Sequence, residues 1–142
     1  MSDLVVDVDV DDLEKGIDFY RRGLGLRLGR RLFGDTVAEM LGARVPIYLL
    51  AKRAGSAASS RSAARRDYRR HWTPVHLEFA VPDLEEAVRR AEDAGATLED
   101  EIRGWEWGRV AILCDPFGHG FCLIQFTAEG HRETFAADPE ES

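Results

Sequence analysis

The chain has 142 residues, 44% hydrophobic and 32% charged, enough for one buried core and too few for two ordinary domains. Its 19 Lys and Arg against 26 Asp and Glu give a formal net charge of −7, which argues against broad phosphate-backbone binding, where clustered cations are required. No apolar run approaches the roughly 20 residues of a membrane span, so neither a nucleic-acid nor a membrane partner is expected.

The N-terminal stretch MSDLVVDVDVDD has neither the basic region nor the apolar core of a secretion signal. Within it, Val5-Val6-Asp7-Val8-Asp9-Val10 alternates at period two and predicts a strand with one apolar face, Val6, Val8 and Val10. Asp12 is placed to cap a helix whose apolar stripe is Leu13, Ile17 and Phe19/Tyr20, ending near Gly23 and Gly25. Three strand-like runs follow, 26–32, 36–41 and 45–51, separated by Phe33-Gly34-Asp35 and Gly42-Ala43-Arg44. Residues 53–72, RAGSAASSRSAARRDYRRHW, lack an apolar period and read as a flexible linker.

Residues 73–87, TPVHLEFAVPDLEEA, then repeat the pattern of residues 2–16, SDLVVDVDVDDLEKG, with His76 where the first copy has Val5. Leu77, Phe79 and Val81 form the apolar face of a second first strand. Asp83, with Glu86 three residues on, has the spacing of a capping box. The helix stripe is Leu84, Val88 and Ala91, and Gly95 ends it. Strand-like runs 97–103, 109–114 and 120–126 complete the copy. Each half thus reads strand, helix, strand, strand, strand. The chain divides into module one at about 3–52, a linker at about 53–72, module two at about 73–127 and an acidic tail, 128–142, expected to fray.

This arrangement resembles the glyoxalase/bleomycin-resistance/dioxygenase superfamily, also called vicinal-oxygen-chelate proteins. The likeness is carried by DLEKGIDFYRRGLGL (12–26), HLEFAVPDLEEAVRRAEDAGAT (76–97) and WGRVAILCDPFGHGFCLIQF (107–126). It implies an α+β fold of two tandem βαβββ modules whose curled mixed sheets surround an open cleft. In metal-using members one ligand comes from the first and one from the last strand of each module. Those positions fall on Val5, Tyr48, His76 and Cys122, where His or Gln, Glu, His and Glu are usual. Valine cannot coordinate, neutral tyrosine is a poor ligand, and soft sulfur departs from the hard-oxygen pattern. The expectation is therefore no metal and no cofactor, although an off-pattern divalent site built from carboxylates and His76 stays open.

Strand parity puts Asp7, Asp9, His76 and Glu78 on the cleft side, with Asp7 and Glu78 facing each other across the pseudo-twofold axis. They are candidate ligand contacts together with Tyr48 and Cys122. His76 and Glu78 are also the candidate catalytic acid and base; solvated carboxylates at a wet mouth are the alternative. Trp105 and Trp107 bracket Glu106 just before a strand and share a face, a candidate aromatic wall for a flat ligand, unless one of them belongs to the core. Cys114 and Cys122, symmetric about Gly118, are expected opposite one another as reduced thiols, in keeping with a cytoplasmic setting. His71, His119 and His131 read as loop residues without a motif. The expected function is small-molecule binding by a domain with a degenerate metal site. The alternative is an enzyme, metal-dependent or based on His76, acting as a lyase, isomerase or ring-cleaving dioxygenase. A homodimer is expected, because open sheets leave edges that invite pairing.

Overall fold

The computed structural model describes residues 2–135 and turns the two sequence copies into two mixed sheets. The elements are β1 (Val6–Val10), α1 (Leu13–Asp18) with a π-helical turn over Phe19–Gly23, β2 (Arg27–Leu32), β3 (Val37–Leu41) and β4 (Ile47–Ala51). Then come β5 (Leu77–Ala80), α2 (Leu84–Asp93), β6 (Thr97–Leu98), β7 (Arg103–Trp105), β8 (Gly108–Cys114), β9 (Gly120–Phe126) and α3 (Ala128–Thr134). The first sheet runs β1-β4-β3-β2; the second runs β5-β9-β8-β6, with β7 also on β8. Each module's first strand lies parallel to its own last strand, pairing Asp7 with Tyr48 and Glu78 with Cys122.

The alternation read from the sequence sets the faces. Val6, Val8, Leu77, Phe79 and Val81 pack against the buried core, and Val10 is fully buried within it. Val5, Asp7, His76 and Glu78 are exposed on the opposite side. Asp12 and Asp83 cap their helices by accepting from the N–H groups of Lys15 and Glu86, at 3.0 and 3.1 Å. The second capping box is only half made, because the Glu86 carboxylate turns to Arg89.

The π turn after α1 lets two consecutive aromatics, Phe19 and Tyr20, both point inward. Phe19 packs edge-on against Phe121, 6.1 Å between centroids. The Tyr20 hydroxyl donates to Asp115 Oδ2 at 2.9 Å. Buried Asp115 also accepts from the N–H groups of Phe117 and His119, at 2.8 and 3.0 Å. Module one is thereby fastened to the last hairpin of module two by a fully paired buried carboxylate, the condition under which burying one is tolerated.

Four expectations are corrected. The segment 53–72 is a packed strap. Arg66 Nε meets Asp9 Oδ2 at 2.7 Å, and Arg70 Nε meets Glu99 Oε2 at 2.6 Å. The Tyr68 ring packs edge-on to Phe117. These anchors are single polar or aromatic side chains, so no period advertises them. His71 of the strap and His119 of the last hairpin both lie in irregular segments, as read, and they meet: His71 Nε2 lies 2.8 Å from His119 Nδ1. At the ends of this chain His71 Nδ1 meets the Arg69 carbonyl at 2.9 Å and His119 Nε2 meets the Asp9 carbonyl at 2.7 Å. Carbonyls only accept, so all three contacts together take three ring hydrogens, one more than two neutral imidazoles hold.

The predicted run 97–103 breaks into β6 and β7, because Asp100 caps the Glu101 N–H and pairs with Arg103. The last hairpin centres on Phe117 rather than Gly118. The register therefore sets Cys114 opposite Gly120 and Cys122 opposite Ile112, and the two thiols do not face each other. Residues 128–134 of the expected tail form α3, capped by Thr127, whose hydroxyl oxygen accepts from the Gly130 N–H at 3.1 Å. Residues 136–142 of that expectation lie outside the described residues.

Candidate functional site

The outward face of the second sheet carries the site. Glu78 on β5, Cys122 on β9 and Ile112 on β8 are mutual register partners, so they form one row across it. His76 precedes Glu78 by two residues and shares its face. β7 brings Trp105 to the rim and the β7–β8 turn brings Trp107, giving two stacked indoles with centroids 5.2 Å apart and planes within 2°. The Gly108 position permits this close turn, since a Cβ there would run into the Gln125 carbonyl. Trp105, Trp107 and Ile112 remain 50%, 38% and 41% exposed, and Trp72 from the strap is 79% exposed. All four line one cleft of about 380 Å³. Apolar surface gathered in one concavity marks a place where something binds.

A neighbouring compartment of about 580 Å³ lies along the same face, between the sheet and α3. Its walls include Ile124, Phe126 and Phe135, and it shares Glu78 and Trp107 with the first. Phe135 stands edge-on to Phe126 at 5.5 Å. The sequence reading missed Trp72, Ile112 and this second compartment. Trp72 and Ile112 were visible as large apolar residues at outward positions, whereas the compartment depends on α3.

The electrostatics are uneven. Among the described residues no side chain donates to Glu78. Arg70, at the cleft edge, is engaged by both oxygens of Glu99, at 2.6 and 3.0 Å. Burial, and then the Glu78 carboxylate, push the Cys122 thiol above its ordinary range. Burial, and then Asp115, do the same for Cys114. Neither environment favours the thiolate that a nucleophilic cysteine uses.

The remaining candidates lie on the first module. The Tyr48 hydroxyl donates to Glu39 Oε2 at 2.9 Å, and that hydrogen bond keeps the phenol protonated. Arg30 forks onto the same carboxylate, at 3.2 and 2.8 Å. These contacts, Arg30 first and Tyr48 second, hold buried Glu39 down at about 2. Asp9 is taken by Arg66. Asp7 lines a separate groove of about 210 Å³, together with Val6, Val8, Leu77 and Phe79. The first strands thus share a groove along their apolar sides, and their polar sides diverge. Asp7 and Glu78 border different cavities and do not face each other.

At the four positions where the fold would supply metal ligands, Val5 has no donor atom, Tyr48 is committed to Glu39, and Cys122 offers soft sulfur where the pattern has a hard oxygen. Among the described residues, no group of three or more His, Cys, Asp or Glu is arranged to hold a metal ion. This donor set does not fit a divalent cation.

The sheet order, paired modules and hairpin have a counterpart among known proteins, for the glyoxalase-like domain matches residues 3–124. The chain belongs to that family. The chain is 32% identical over 123 residues to the anthracycline biosynthesis protein DauV of Streptomyces sp. (strain C5), covering 84% of this chain and 40% of DauV. It spans less than half the length of the curated relatives it matches. Among solved structures, TnmS3, an antibiotic-binding protein from Streptomyces sp. CB03234, superposes with a TM-score of 0.62 at 23% identity, covering 89% of this chain and 97% of TnmS3. The fosfomycin resistance protein FosX of Listeria monocytogenes superposes at 0.67 with 21% identity, covering 92% and 98%. These likenesses fix the fold. In the described residues no helix is long and apolar enough to cross a membrane.

Proposed function

We propose that this glyoxalase-like chain binds a flat, polycyclic organic molecule on the outward face of its second sheet, without the divalent metal of other superfamily members. The observation that carries this reading is the exposed, parallel Trp105–Trp107 stack above a floor of Ile112 and Cys122. Indole faces favour offset stacking on planar rings, worth about 0.5–1.5 kcal/mol per pair beyond burial. The names of DauV, an anthracycline biosynthesis protein, and TnmS3, an antibiotic-binding protein, point the same way. The protein acts as a binder, in a cytoplasmic setting that its two free thiols suit, and as a homodimer.

Titrating planar polycycles and aliphatic molecules of equal size, followed by tryptophan emission and calorimetry, tests it. The planar set should bind, and Trp105→Ala and Trp107→Ala should each weaken it by about tenfold. Equal binding of the aliphatic set, or indifference to both substitutions, removes the reading. The enzymatic alternative rests on His76 and Glu78, which share a face and, among the described residues, form no hydrogen bond or ion pair with another side chain. It requires turnover of a bound ligand that His76→Ala abolishes while leaving affinity intact.

A further inference from the structure

Glu78 is the one carboxylate common to both compartments, and it sits where they meet beside Trp107. Among the described residues no cation or hydrogen-bond donor side chain meets it. Of the arginines near this face, Arg70, which lines the cleft, is engaged by Glu99, and Arg103, two residues before Trp105 on β7, by Asp100. The other acidic wall residue, Glu133, lies on the α3 side. An anion entering this cleft meets carboxylates and the electron-rich faces of the indoles. A neutral molecule covering Glu78 strips water from a charge and returns at most a hydrogen bond without an opposite charge. A cation offsets more of that loss than any neutral donor, through an ion-paired hydrogen bond to the carboxylate and attraction to the indole face.

Building on the planar-ligand reading above, we infer that the ligand class is an aromatic polycycle carrying a protonated amine on a side arm. The rings lie against Trp105 and Trp107, the ammonium meets Glu78, and the apolar remainder of the arm enters the Phe126–Phe135 compartment. The cleft is thus bipartite, with its charge selector at the waist.

Three naphthalimides with the same ring and different arms test this on the full chain: an aminoalkyl arm, a hydroxyalkyl arm of equal length, and a sulfonatoalkyl arm. At low salt the amine is expected to bind about tenfold tighter than the alcohol, and the sulfonate weakest of the three. Glu78→Gln should bring the amine to within about twofold of the alcohol and leave the alcohol unweakened. Glu78 is exposed and, among the described residues, makes no side-chain hydrogen bond or ion pair, so this variant is expected to stay folded. Phe135→Ala should weaken the armed ligands and leave the bare ring unchanged. Equal affinity for amine and alcohol, equal loss of both on Glu78→Gln, or tightest binding by the sulfonate overturns the charge assignment while the planar-ligand reading stands. An effect of Phe135→Ala on the bare ring overturns the bipartite assignment. Failure of all three compounds and of the bare ring overturns both readings together.

Discussion

Glu39 owes its charge at low pH to Arg30 and Tyr48, and that dependence has a sign. Its carboxyl ordinarily titrates near 4.5 and is held at about 2 in the fold. A depressed carboxyl contributes stability that is complete above its ordinary value and is lost as pH falls from about 4.5 through about 2. Glu39→Gln is therefore expected to lower the melting temperature at neutral pH and to flatten the acid limb of the melting curve across that window. Melting both proteins from pH 7 to pH 2 checks this, and parallel acid limbs would assign the acid sensitivity to another group. At this scale parity exposed His76, Glu78, Trp105 and Trp107, because alternation needs only neighbours along the strand. Glu39 escaped, since a carboxylate in the run VAEML reads as a solvated position until Arg30 and Tyr48 are seen to converge on it. Tyr48 was singled out as a ligand contact, whereas its hydroxyl donates to a carboxylate of its own sheet.

α3 shows what one hydroxyl can hold in place. Thr127 satisfies the Gly130 N–H, and buried Gly130 lies against the Trp107 carbonyl, where a Cβ would not fit. Thr127→Ala should cost about 1 kcal/mol of local helix stability, the usual worth of an N-cap. Hydrogen exchange in 128–134 should accelerate, and ligands that reach Phe135 should bind more weakly, with Trp105-side contacts unchanged. Unaltered exchange in α3 would show that packing on Phe126, and not the cap, holds it. Strands and capped helices were legible because period two and Asp caps are local signals. Strap, α3 and hairpin register were not. Arg66, Tyr68, Arg70 and His71 act through partners far along the chain, and the hairpin centre depends on which Asp115 hydrogen bonds form.

The duplication made the whole fold readable, since two copies of a strand-helix-strand-strand-strand pattern admit few arrangements. It also suggested too much symmetry. A pseudo-twofold axis implied that Asp7 and Glu78 would meet, whereas β1 and β5 present their apolar sides to a common groove. Both strands are terminal in their sheets, and Leu4, Val5 and Val75 beside them are 65%, 50% and 78% exposed. Unpaired edges next to exposed aliphatic side chains are the basis for expecting association. Light scattering should give about twice the chain mass of 15.9 kDa, and Val75→Asp should shift the protein toward monomer. A chain-mass particle at micromolar concentrations would remove the homodimer.

The chain has three tryptophans, and Trp72, Trp105 and Trp107 all border the first compartment. The protein's entire indole emission therefore originates at the cleft, with no buried tryptophan elsewhere to add a constant background. Two near-parallel indoles at 5.2 Å also couple their electronic transitions, giving a paired circular-dichroism signal that an inserted ring would disrupt. The molecule carries an optical gauge of its own occupancy, readable without a label.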